Sequence, residues 1–162
     1  MARHFFIVVL VAISACGPVQ LRGSNSTDVH AGNVSFPVRT TGVRLLRTDT
    51  GAIREVHLFA ADAGDACTSV AGESATTHLV HVHVFGQPPG KYSVSSAQDS
   101  ASVDTPLAAR ITVLKGDDVL ATANAGQVIL GELTEGSISV TVRSTLEDGS
   151  TLNFDLVANA CE

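Results

Sequence analysis

The segment THLVHVHVF at residues 77–85 carries three of the six histidines in the chain, His78, His81 and His83. In an extended strand successive side chains point to opposite faces, so His81 and His83 share one face while Val80, Val82 and Val84 share the other. Two imidazoles at that spacing could chelate a borderline metal such as copper or zinc. They supply only half of a tetrahedral site. His78 has the wrong parity to join them unless a bulge turns it round. His57 could lie on a neighbouring strand with the same facing, and Glu55 or Glu73 could complete the set. The competing expectation is plainer: His57, His78, His81 and His83 are polar residues of a solvated strand face, binding copper or zinc weakly and without fixed stoichiometry.

The run His81-Val82-His83-Val84-Phe85-Gly86 resembles the His-x-His strand of copper–zinc superoxide dismutases, in which both histidines bind copper. That family is also a β-sandwich with a disulfide to a cysteine near the C-terminus. The resemblance covers six residues. The family's bridging histidine, its zinc ligands and its further copper histidine lie downstream of the strand, whereas no histidine follows His83 here. Cys67 also precedes the run instead of following it. What the resemblance implies is a metal-binding strand and not dismutase activity. No G-x-S-x-G elbow, phosphate-cradling glycine loop or H-E-x-x-H motif occurs. Asp62, Asp65, Asp117 and Asp118 fall in expected turns, where Asp is favoured for local hydrogen bonding. Asp117-Asp118 lacks the full ligand spacing of a calcium loop. The expectation is a protein that is not an enzyme and carries no cofactor.

The three cysteines, all outside this region, bear on the compartment. Residues 1–15 read as a secretory signal peptide: Arg3 and His4 lead, Phe5 to Ile13 are apolar, and Ser14 and Ala15 are small. The apolar run is too short to span a bilayer before Gly17-Pro18. Ile13-Ser14-Ala15-Cys16 resembles the lipobox of bacterial lipoprotein precursors. That resemblance implies cleavage before Cys16 and a diacylglycerol on its sulfur, the palmitate-type anchor of a cell-envelope protein. Gly17 stands where many inner-membrane lipoproteins carry Asp, so the outer membrane is favoured if the source is Gram-negative. With Cys16 used for lipid, Cys67 and Cys161 remain, and an even pair in an exported chain reads as a disulfide.

These residues need a scaffold, and 162 residues suffice for one domain. Aromatic residues make up 4% of the chain and the net charge is −6, which counts against a stacking platform for single strands and disfavours any nucleic-acid partner. The membrane is reached through the lipid, and the remaining partner is an unknown protein or small ligand. Residues 16–33 are polar and aperiodic and read as the lipidated cysteine followed by a flexible tether. From residue 34 the apolar period is two: Val34/Phe36/Val38, Val43/Leu45, Val56/Leu58/Ala60, residues 77–85, Tyr92/Val94, Ile111/Val113, Val128 to Leu130, Ile138/Val140/Val142 and Leu152/Phe154/Leu156. The Asp148-Gly149 turn predicts a hairpin of 137–143 with 150–157. Residues 60–75 and 95–109 read as loops. The C-terminal third, from Ala125-Gly126 to Cys161, is similar in pattern to uncharacterised secreted bacterial β-proteins that finish on a disulfide cysteine, which implies no activity. The whole reads as all-β: a single β-sandwich over 34–162, Ig-like or jelly-roll-like, of about eight to ten short strands. The leading functional expectation is a lipid-anchored, non-enzymatic binding or structural module of the cell envelope. The alternative is an envelope copper or zinc binder using His81 and His83.

Overall fold

The computed structural model describes residues 28–67, 77–96 and 108–161. The signal segment, Cys16, Glu73 and most of the 95–109 stretch lie outside them. The fold is all-β, with ten strands among the described residues: β1 (Asp28–Ala31), β2 (Val34–Pro37), β3 (Thr40–Arg47), β4 (Ile53–Ala61), β5 (His78–Phe85), β6 (Gly90–Val94), β7 (Ala108–Lys115), β8 (Asp118–Thr134), β9 (Ser137–Leu146) and β10 (Thr151–Asn159). β1 and β2 form a separate hairpin, and the others form one sheet in the order β10-β9-β8-β6-β7-β5-β4-β3. All ladders are antiparallel except that between β6 and β7.

Strand formation follows the period of two. In β9, Ile138, Val140, Val142, Ser144 and Leu146 are buried while their neighbours are not. The predicted hairpin is present, with Thr151 opposite Thr145 and Asn159 opposite Ser137, closed by a turn in which Gly149 takes φ 84°. Three expectations need adjustment. β1 occupies the end of the stretch read as a tether: Val29 and Ala31 are buried and pair with Phe36 and Val34. Ala60 and Ala61 finish β4 instead of opening a loop, and Ala108 and Ala109 begin β7, where a small side chain fits the fully buried position of Ala109 opposite Val84. β8 is 17 residues long, far beyond Val128–Leu130.

That long strand makes two layers from one sheet. Its first residues pair with β7, Thr122 opposite Thr112. Its remainder pairs with β9, and Gln127–Leu130 also pair with β6. Between these regions the register shifts at Ala123/Ala125, beside Gly126 at φ 131°. A Cβ at Gly126 would meet the Arg143 carbonyl oxygen at 2.3 Å, so only glycine permits this crossing. Leu58, Val80 and Val82 from one layer then face Val140, Phe154 and Leu156 from the other across a single core. The two edges of the sheet also meet. Val43 in β3 bridges Ala160, the Cys161 amide donates to the Val43 carbonyl, and the Thr41 hydroxyl donates to the Val157 carbonyl. The Cys67–Cys161 disulfide, with Cα atoms 5.5 Å apart, fastens this seam over Gly42.

Candidate functional site: an imidazole–carboxylate cluster on the outer sheet face

β3, β4, β5 and β7 turn one face to the core and the other outward. On the outward face the register sets cross-strand rows. Gly42, Phe59, His81 and Thr112 form one row; Arg44, His57, His83 and Arg110 form the next; Leu46, Glu55, Phe85 and Ala108 form the third. His57 and His83 are therefore direct partners, and His81 and Glu55 sit one row away on either side. The pairing of β4 with β5 produces the cluster, because neither strand alone holds more than two of these groups.

The rings pack against one another, stacked in the pairs His57–His83 and Phe59–His81 and tilted between His83 and Phe85. His57 and His83 have centroids 4.0 Å apart, His83 lies 4.0 Å from Phe85, and His81 lies 5.0 Å from Phe59. Phe59 belongs to a small second cluster with Ala61, Ala66 and Leu79 beneath the Cys67 loop. This packing overturns the expectation of a solvated face. The side chains of His57 and His83 are 19% exposed and that of Glu55 11%.

Polar contacts converge on one point. His83 Nε2 lies 2.9 Å from Glu55 Oε2, and His57 Nε2 lies 3.5 Å from the same oxygen. The other carboxylate oxygen, Oε1, is held by Arg54 at 2.8 Å. His57 Nδ1 lies 3.0 Å from His81 Nε2, so one of those nitrogens donates and the other accepts. His57 Nε2 is buried and makes no hydrogen bond of good geometry. One ligating atom from each of Glu55, His57 and His83 lies within 4.8 Å of the others, a grouping that could close on one metal ion once the side chains draw slightly together.

The electrostatics favour neutral imidazoles. Burial is the first cause for all three histidines. It lowers His81 to about 4, reinforced by His57 and His83. It also lowers His57 and His83, although Glu55 opposes the shift in both. For Glu55, burial alone would raise the pKa, but hydrogen bonding to His83 and the Arg54 charge outweigh it, and the carboxyl titrates below its usual value. Two unprotonated imidazoles and an ionised carboxylate are the protonation states a metal requires.

The structure thus brings together His83 and His57, adds Glu55, and gives His81 a different place from the one its spacing suggested. His81 lies outside the three-atom set and holds the far nitrogen of His57. His78 faces the opposite side, as its parity requires: it stacks on Phe36, and its Nδ1 lies 2.7 Å from Asp62 Oδ2. Asp117 and Asp118 sit exposed at the β7–β8 turn and join no cluster of three ligating groups among the described residues. A hollow lined by Thr48, Ile53, Gly86, Pro89 and Tyr92 lies at the strand ends and contains none of the ligating groups. The missed element was the alignment of β4 with β5; the equal parity of Glu55 and His57 was the signal that pointed towards it. Compared with protein-family models, curated proteins and solved structures, the chain matches none.

Proposed function

We propose that this chain is an exported, lipid-anchored and non-enzymatic binding module whose ligand is a divalent transition-metal ion, Zn²⁺ or Cu²⁺, held by Glu55, His57 and His83. The convergence of the three ligating atoms carries the metal reading. Two imidazoles and a carboxylate are a familiar zinc donor set, and copper binds imidazole more tightly still. The metal would take the place of the proton between His83 Nε2 and Glu55 Oε2 and would engage His57 Nε2, which is buried without a well-formed hydrogen bond. Export is supported by the signal-like sequence and by the disulfide, which suits an oxidising compartment. The lipid anchor rests on Ile13-Ser14-Ala15-Cys16 alone. Two acyl chains suffice to hold such a domain on a bilayer.

Calorimetry with Zn²⁺ tests the metal site. One equivalent should bind, and His57→Ala with His83→Ala should abolish it while circular dichroism stays native. Equal binding by wild type and the folded double variant would refute the assignment. In parallel, Cys16→Ala should stop incorporation of labelled palmitate by cells expressing the full chain.

A further inference from the structure

One row of the outward face runs Arg44, His57, His83, Arg110, each residue directly opposite the next on adjoining strands. Directly opposed residues have Cβ atoms about 4.5–5.5 Å apart and point the same way. The two histidines of the metal set are therefore flanked on both sides by guanidinium groups. We infer that the metal ion binds together with a small oxyanion, a carboxylate or a phosphate, which takes the coordination position left open by the protein and is clasped by Arg44 and Arg110. This rests on the metal-binding reading and names the second ligand of the same site.

Three observations lead there. Glu55, His57 and His83 offer three donor atoms, whereas zinc takes at least four ligands, leaving one position for an outside group. The local charge also favours an anion: Glu55 is already paired with Arg54, and a dication held by His57 and His83 would stand in the same row as the guanidinium groups of Arg44 and Arg110. Both flanking arginines are felt electrostatically within the site, Arg44 at His57 and Arg110 at His83. Finally, the guanidinium fork matches the geometry of carboxylate and phosphate oxygens, and such charge-assisted bonds are strong. Arg44 already donates to the Cys67 carbonyl at 3.3 Å. That contact steadies its side chain alongside the row without using all five of its donors.

By linkage, an anion that binds the metal form must tighten the metal, and to the same factor the metal must tighten the anion. The test measures Zn²⁺ affinity of the full chain at constant ionic strength, first in perchlorate, then with millimolar acetate or inorganic phosphate, corrected for zinc held by the anion itself. Affinity should rise at least tenfold with one of the two anions, and which one responds separates carboxylate from phosphate. Arg44→Gln with Arg110→Gln should abolish that increase and bind zinc in perchlorate at least as tightly as wild type. Cobalt substituted for zinc should change its visible spectrum when the effective anion is added. Zinc binding of equal strength in all three media would overturn the oxyanion while leaving the metal site standing. No zinc binding in any medium would overturn both.

Discussion

Burial holds His81 at a pKa of about 4, against about 6.5 in an unfolded chain. Between those values the unfolded chain binds a proton that the native protein refuses, so stability must fall as pH drops through this interval. His81 alone accounts for a loss of up to about 3 kcal/mol across it. His57 and His83, also lowered, add to the loss with the same sign. Glu55, lowered as well, contributes stability that is complete above its unfolded value and is lost only on further acidification. Urea denaturation from pH 7 to pH 4 should therefore show a steep decline in stability. His81→Phe, which keeps a ring against Phe59, should be less stable at pH 7 through the lost partner of His57 Nδ1, yet show a distinctly shallower decline. An unchanged pH slope in that variant would remove His81 as its source.

β8 is where element-level reasoning is tested hardest. Gly126 lies in the left-handed region at the point where the strand leaves β7 for β9. Gly126→Ala adds a Cβ against the Arg143 carbonyl and the Ser144 backbone. Strain at such a φ and overpacking each cost about 1–3 kcal/mol, so the variant should lose at least ~2 kcal/mol in chemical denaturation. Gly149→Ala, with open space around its Cβ, should suffer from backbone strain alone and lose less. This strand also marks the limit of what its residues reveal. Ala121, Ala123, Ala125 and Gly126 have too little apolar bulk to register as alternation, and their strand identity comes from the neighbours they pair with. β5 and the β9–β10 hairpin were legible because β-branched side chains alternate cleanly there and Asp148-Gly149 fixes the turn. β1 was hidden by a four-residue length. At the candidate site, the parity of His81 and His83 was readable, as was that of Glu55 and His57. Which row faced which was not, since cross-strand register depends on long-range packing rather than on either segment.

The disulfide acts on the molecule as a whole. Cys67 and Cys161 are 94 residues apart, and a link of that span stabilises by about 4–5 kcal/mol in the chain-entropy account. Reduction should lower the thermal midpoint by many degrees, and protein from its native compartment should yield no titratable thiol from Cys67 or Cys161. Two thiols in unreduced protein would contradict the bond. The same seam brings the end strands of the sheet together through Val43, Ala160 and Val157. Open strand ends invite a neighbouring chain to add its own strand, the first step towards fibrils. On the lipid-anchored reading proposed above, copies would share a surface and collide often in matching orientation. Where the edge strands are joined to each other, at Val43 and Ala160, they leave no backbone there for a neighbouring copy to grip.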